Sequence, residues 1–413
     1  MKIYQVGGSI RDELLGLPVK ERDWVVVGGS RQLLLEQGYQ QVGKDFPVFI
    51  HPETGEEYAL ARTERKVSAG YHGFEFDESG SVSLKEDLRR RDLTINTLAR
   101  DSEGRILDFF GARRDLQNRV LRHVSPAFAE DPVRVLRLAR FAARFHHLGF
   151  TIAPETLELV RTMSASGELS SLVPERIWKE LYKSLLTLDP SRFIQCLRDG
   201  QALKVIFPEI ERLFGVPQPE KYHPEIDTGI HVMMAMDRAR RISEAPEVVF
   251  AAMMHDLGKG LTPASIWPHH RGHEKRGVEP VSKLCKRLRV PNDFRELALL
   301  VTEHHTKLYR IAEMRSSTIV KLLLKLDAFR RRQRFNQFLE ACQADVQGRL
   351  GKENEPFEYG RLWQGCVEAA EEVDIDRITT DKALSGQEIG EAIFRQRCDA
   401  VDLYRSHSFP SSF

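Results

Sequence analysis

A chain of 413 residues with a formal net charge of +1, 41% hydrophobic and 29% charged residues, has the composition of a soluble globular protein of roughly two to four compact units. Disorder is excluded, and so is any argument for a nucleic-acid partner from global basicity. No apolar run approaches the roughly 20 residues of a membrane helix, and Met1-Lys2-Ile3-Tyr4 enters a strand without a signal-peptide pattern, so the expected setting is the cytoplasm, with no membrane partner.

The chain opens with Val6–Gly28, VGGSIRDELLGLPVKERDWVVVG. Lys2–Val6 is a β-favouring run, Gly7-Gly8 permits close approach of backbone to a ligand, and Ser9 with Asp12 resembles a capping arrangement for a helix ending near Gly16. Such a turn offers free N–H groups to a phosphate, with Arg11 one helical turn in as a cation. Glu21-Arg22-Asp23 leads into the apolar strand Trp24–Val27, and period-two alternation puts Glu21 and Asp23 on one face, about 7 Å apart. Two carboxylates beside a phosphate-binding turn suit a pair of Mg²⁺ ions, the requirement of nucleotidyl transfer.

Further along, Val48–Ile50, Glu57–Arg62 and Ile106–Phe109 read as strands and Lys85–Ala99 as a helix, with the Gly- and Ser-rich stretch Val67–Ser83 as a mobile loop or hairpin. Arg89-Arg90-Arg91-Asp92 heads the predicted helix. Beyond Pro126 the pattern is helical: Val133–Leu148, Pro154–Met163, Pro174–Leu188 and Pro190–Ala202, punctuated by prolines near the starts. In Glu130-Asp131-Pro132-Val133-Arg134, Asp131 reads as a helix cap, and Arg134, Arg137, Arg140 and Arg144 then form a ladder beside Val135, Leu138 and Phe141. A carboxylate accepts from the exocyclic amino group of cytosine or adenine while a guanidinium donates to the neighbouring ring acceptor, so Asp131 and Arg134 fit C and A without a template.

A proline-rich loop over Phe214–Asp227 marks a domain boundary. The helices Thr228–Ile242, Glu247–Asp256, Val278–Leu288, Asp293–Thr306 and Thr318–Lys325 follow, then a polar helical tail. Histidines concentrate here. His231 lies in a helical pattern, His255-Asp256 closes the apolar run FAAMMHDLGKG, and imidazole with carboxylate suits a divalent ion. The five cysteines are widely spaced without any C-x-x-C pattern and read as reduced thiols. Clustered arginines, among them Arg330-Arg331-Arg332 with Arg334, require a nucleic-acid partner to be argued patch by patch.

The succession GGSIRD, ERD, RRD, EDPVR, HD resembles polymerase-β-like nucleotidyltransferases in the form of bacterial multifunctional CCA-adding enzymes, class II, with an appended HD phosphohydrolase domain. The resemblance implies an α+β fold: a nucleotidyltransferase head over 1–125, an all-α neck over 126–227, an HD domain over 228–329 and a helical tail over 330–413. It implies addition of C, C and A from CTP and ATP to the tRNA 3′ end, with phosphodiesterase, nucleotidase and phosphatase activities in the HD part. Glu21 and Asp23 are then the catalytic Mg²⁺ ligands, and Gly8, Arg11, Arg91, Asp131, Arg134, Arg137 and Arg140 bind nucleotide, with Asp92 orienting neighbours. His231, His255, Asp256 and, by position, Asp327 hold a transition metal such as Ni²⁺, with His269, His270, His273, His304 and His305 as further ligands or phosphate binders. One position departs from the family pattern Asp-x-Asp: the first acid is Glu21, and Glu64 in Ala61-Arg62-Thr63-Glu64 is a further carboxylate for the set. Other readings stay open, namely a poly(A) polymerase, an HD nucleotide phosphohydrolase with a degenerate RNA-binding head, and a non-catalytic tRNA-binding protein. A monomer or homodimer is expected.

Overall fold

The computed structural model describes residues 1–43, 48–66, 74–77, 81–380 and 384–409, with backbone alone for 63–66 and 74–77. The chain forms two compact units, one of Met1–Ser184 with Arg192–Ile206, the other of Leu185–Ser191 with Phe207–Phe413. Among the described residues no helix is long and apolar enough to cross a membrane.

The first unit begins with strand β1 (Lys2–Val6), helix α1 (Gly8–Leu14) and strand β2 (Asp23–Val27). Strands β3 (Gln40–Val42), β4 (Val48–Ile50), β5 (Glu57–Leu60), β6 (Ala99–Arg100) and β7 (Ile106–Leu107) complete a mixed sheet ordered β3-β4-β5-β2-β1-β6-β7. β2 is central because its side chains serve both faces: Val25 packs with Val6, Leu84 and Leu88, and Val26 with Leu34, Phe49 and Leu60. A strand covered on both sides reads as an unbroken apolar run, which is why Trp24–Val27 carries no alternation. Antiparallel register sets Val6 opposite Asp23, so the chain leaves β1 into Gly7-Gly8 beside the acidic end of β2. Gly7 has a φ of +75°, which favours glycine, and a Cβ there would lie 2.8 Å from Arg91 Nη1.

Two local expectations are corrected. The helix predicted over Lys85–Ala99 stops at Arg89, and Thr94–Asn96 forms a short 3₁₀ turn before β6. Side chains take over from the helix ladder there: Asp92 accepts from the Leu93 N–H at 2.8 Å and from Asn96 Nδ2 at 2.8 Å, and Thr94 donates to Asp115. Ser9 and Asp12 do not cap α1. Gly7 stands at its N-cap position, Ser9 Oγ accepts from Gln5 Nε2, and Asp12 is engaged by arginines. Of the predicted loop or hairpin, 67–73 and 78–80 lie outside the described residues, and Phe74–Asp77 pairs antiparallel with Thr63–Lys66.

Helix α2 (Val133–Phe145) buries Val135, Leu138 and Phe141 on its apolar stripe, and α3 (Pro174–Leu185) follows in the same unit. In the second unit, α4 (Thr228–Ile242) packs on α5 (Pro246–Met254), α5 on α7 (Asn292–Leu308), and α6 (His273–Arg287) on α7, while α8 (Arg332–Gln347) closes against α4, α5 and α7. α5 is buried from Val248 to Met254, so its end delivers His255 and Asp256 into the interior.

Candidate active sites

In the first unit a cavity of about 900 Å³ gathers Gly8, Arg11, Glu21, Asp23 and Arg91 with Asp131, Arg134, Arg137 and Arg140. Of the residues expected at the transferase site, these nine line one cavity, and the side chain of Glu64 lies outside the described residues. Glu21 and Asp23 lie at the leading end of β2, and burial raises the Asp23 carboxyl above its ordinary range, Arg91 opposing and Glu21 adding to the rise. A carboxylate whose charge is penalised, with a second acid two residues before it, fits a divalent cation, which would favour the ionised form of Asp23.

The arginine ladder, unbalanced along its own helix, is balanced from other elements. Arg137 Nε meets Asp92 Oδ2 at 2.7 Å, Arg140 pairs with Glu180 of α3, and Arg144 Nη2 meets Asp12 Oδ2 at 2.8 Å. Asp92 is buried, which alone would push its carboxyl up, but Arg137, the Asn96 amide and the Leu93 N–H outweigh burial and hold it well below the usual range. Arg11 is also inside. Its guanidinium lies 5.1 Å from the rings of both Phe141 and Phe145, bonds Asp12 at 2.9 Å and meets Asn96; burial lowers it to about 10, so it stays a cation at neutral pH. Arg134 donates to the Ala127 carbonyl, and Asp131 receives a bidentate pair from Arg176. Arg176 and Glu180 were not singled out from the sequence. Their signal was faint: both stand four apart on α3, on the flank that faces α2's arginines.

In the second unit His231 on α4, His255 and Asp256 at the end of α5, and Asp345 on α8 converge. His231 Nε2 lies 3.1 Å from Asp345 Oδ1 and 3.9 Å from Asp256 Oδ2, and His255 Nε2 lies 3.1 Å from Asp256 Oδ2. Asp256 Oδ1 is 3.3 Å from His273 Nε2 and 3.7 Å from His305 Nε2. Nδ1 of His255, His273 and His305 lies 2.7, 2.9 and 3.0 Å from the carbonyls of Ala252, His270 and Val301. A carbonyl only accepts, so each Nδ1 carries a proton, and Nε2 is the ring nitrogen left to face Asp256 and to serve as a metal ligand. Burial pushes His305 down to about 3, which keeps it neutral. His255 Nε2 and both Asp256 oxygens are buried without a well-aligned hydrogen bond among the described residues, and the one cation at Asp256 among them is Lys259, whose Nζ lies 2.7 Å from Oδ2. Such a set is costly unless something binds it, and neutral imidazoles with carboxylates fit a divalent metal.

Asp327, expected as the fourth ligand, does not join this cluster, and Asp345 is the second aspartate beside His231 and His255. Asp327 sits beyond the helix Ser316–Lys325 at a φ of +53°, and its carboxylate faces Arg331 at 3.6 Å and Arg334 at 3.8 Å. Asp345 is anchored by the Tyr309 hydroxyl and by Arg349 Nη2 at 3.2 Å. The missed signal was an acid on the buried stripe of α8, where Phe338, Cys342 and Asp345 share a face. Of the remaining histidines, His304 turns to Lys307, His270 to Thr262 and the Pro217 carbonyl, and His269 is exposed. A cavity of about 370 Å³ reaches the cluster past Lys259, Arg349, Tyr222 and Tyr309. Of the cluster Arg330–Arg332 with Arg334, Arg331 and Arg334 pair with Glu296 and Arg332 with Glu368 and Glu371, while the Arg330 side chain is 86% exposed.

The chain is 53% identical over 99% of its length to the multifunctional CCA protein of Teredinibacter turnerae, covering 100% of that protein. It belongs to the multifunctional CCA protein family. The homologue of Thioalkalivibrio sulfidiphilus is 55% identical over 97% of the chain and 98% of its own length. Family models match in three places: the poly A polymerase head domain at residues 3–122, a probable RNA and SrmB-binding site of polymerase A at 149–214, and the HD domain at 228–332. A solved CCA-adding enzyme in complex with CTP shares the fold, with a TM-score of 0.66 at 21% identity over 97% of this chain and 87% of that one. The α+β head followed by helices is therefore the architecture of this family, and in this chain Asp345 lies beyond the stretch matched as HD domain.

Proposed function

We propose that this protein adds C, C and A without a template to the tRNA 3′ end from CTP and ATP, in the cytoplasm. Its HD domain would hydrolyse phosphate esters, among them 2′,3′-cyclic phosphodiesters, 2′-nucleotides and simple phosphomonoesters. Relatives at 53 to 55% identity carry the name multifunctional CCA protein, and the observation that carries the reading is the single cavity that holds Glu21 and Asp23 with Asp131 and the arginine row.

The Gly7-Gly8 turn lets backbone approach the triphosphate, and Arg11, Arg91, Arg137 and Arg140 are cations already fixed before the nucleotide arrives. Asp131 accepts from the amino group of cytosine or adenine while Arg134 donates to the adjacent ring nitrogen; uracil and guanine present a carbonyl where the amino group is needed. Glu21 and Asp23 would hold Mg²⁺. That ion, when bound, makes the attacking hydroxyl more acidic and stabilises the leaving pyrophosphate. Since each cation is held by a buried or half-buried acid, little reorganisation remains for the reaction itself.

In the HD domain, His231, His255, Asp256 and Asp345 would hold a divalent transition metal, Ni²⁺ foremost, which activates water toward phosphorus. Lys259 and Arg349 line the adjoining cavity as cations for a phosphate. In this reading the head, neck and HD domain keep the boundaries near 125 and 227, while the segment after 329 supplies a ligand through Asp345. Asp23→Ala should abolish nucleotide incorporation into tRNA lacking CCA and leave metal-dependent phosphatase activity intact. Incorporation at the unmutated rate would overturn the reading.

A further inference from the structure

A carboxylate offers about four lone-pair positions on its two oxygens. Three of those on Asp131 are occupied: Oδ1 accepts from the Val133 N–H at 3.0 Å and from Arg176 Nη1 at 3.1 Å, and Oδ2 accepts from Arg176 Nη2 at 2.8 Å. Among the described residues, one position on Oδ2 is left. Asp131 lines the transferase cavity with Arg134, so the remaining lone pair belongs to a group that a nucleotide can reach.

The clamp comes from outside the motif. Asp131 precedes α2, whereas Arg176 belongs to the first turn of α3, 45 residues on. A bidentate guanidinium–carboxylate pair is planar, so it fixes both the rotation of the carboxylate and the direction of the lone pair left over. An ionised carboxylate held in this way can only accept. Without the fork, the Val133 N–H alone would hold one oxygen, and the other could swing through a range of orientations.

We propose that Arg176 is a positioning residue for base selection: by clamping Asp131 it leaves one directed acceptor, which the exocyclic amino group of cytosine or adenine satisfies and the carbonyl of uracil or guanine does not. The inference rests on the base-reading role of Asp131. It assigns to α3 a share of a specificity otherwise ascribed to the Glu130–Arg134 motif alone, and it separates two functions that one carboxylate would have to combine, contacting the base and keeping its own aim.

The test uses the full-length protein and single-nucleotide incorporation on two tRNA transcripts. One ends just before CCA and is offered CTP or UTP; the other ends in CC and is offered ATP or GTP. Arg176→Ala should lower the kcat/KM preference for CTP over UTP, and for ATP over GTP, by about tenfold or more. Arg176→Lys keeps the charge but cannot form the fork, so it should retain the thermal midpoint better than Arg176→Ala and still lose most of the preference. It also serves as the working variant should Arg176→Ala not fold. A merely structural tether would lower the thermal midpoint or the rate equally for all four nucleotides and leave both ratios unmoved, which would overturn the proposal. Asp131→Ala is the control. If it keeps full selectivity, the base-reading role itself fails; if it loses selectivity while both Arg176 variants keep theirs, only the part given to Arg176 fails.

Discussion

Arg137 Nε lies 2.7 Å from Asp92 Oδ2, and this pair ties the arginine row of α2 to the turn after Arg89-Arg90-Arg91, 45 residues earlier. Asp92 also accepts from the Asn96 amide, and Asn96 in turn accepts from Arg11, so one buried carboxylate sets the positions of cations from two segments, α1 and α2.

Asp92→Asn should therefore weaken the protein and its nucleotide site together. Removing one partner of a buried pair costs about 3–5 kcal/mol, but the Arg137 side chain is 38% exposed, so a loss of about 2 kcal/mol is expected, with KM for CTP and ATP raised. The sign with pH is set by the depressed carboxyl: its contribution is complete above the ordinary aspartate value of about 4 and is lost as pH falls through the lower folded value. Denaturant midpoints of the two proteins should thus differ at pH 7 and converge in strong acid. A constant gap across that range would mean that Asp92 acts by shape rather than by charge.

Gly7→Ala should cripple the transferase while sparing the HD domain. The substitution combines a φ of +75° with a Cβ 2.8 Å from Arg91 Nη1, so either the turn strains by about 1–3 kcal/mol or Arg91 is displaced. Incorporation assays should show at least a tenfold fall in kcat/KM; unchanged kinetics would mean the turn yields without touching the nucleotide.

For Glu21→Asp a transferase rate equal to or above that of the unmutated protein is expected, because a shorter acid has fewer rotamers to fix when holding an octahedral ion. Glu21→Ala should fail outright. Normal rates for Glu21→Ala would show that Asp23 works with a different carboxylate.

Asp345→Ala should remove bound divalent metal and phosphatase activity, with metal affinity reduced by at least about 100-fold, whereas Asp327→Ala should leave both unchanged. Metal content by elemental analysis after dialysis separates the two. The reverse outcome would restore Asp327 and make Asp345 a structural acid.

How much of this was legible beforehand depends on how far apart the interacting residues stand in the chain. Trp24–Val27 announced a strand covered on both faces, and the residues predicted for the transferase site do share one cavity, because they lie in local motifs whose turns and helix starts carry their own signals. Partnerships across elements were not legible. The ladder on α2 looked unbalanced since its acids, Asp12, Asp92 and Glu180, come from elsewhere, and Arg176 gave no sign that it would meet Asp131. Position along the chain favours Asp327 over Asp345, but an acid beyond the end of an apolar helix is solvated as readily as buried, whereas one on the buried stripe of its helix faces the interior. Lys85–Ala99 was misjudged for a related reason, since Asp92, Thr94 and Asn96 bond side chain to backbone and side chain instead of extending the helix.

The most direct test of the transferase assignment is to incubate the full-length protein and Mg²⁺ with a tRNA transcript lacking its last three nucleotides, all four nucleoside triphosphates present, and to sequence the product ends. The account predicts addition of C, C and A, stopping after A, with Asp23→Ala adding nothing. A run of adenosines, or no extension by a protein that binds the tRNA, would contradict it.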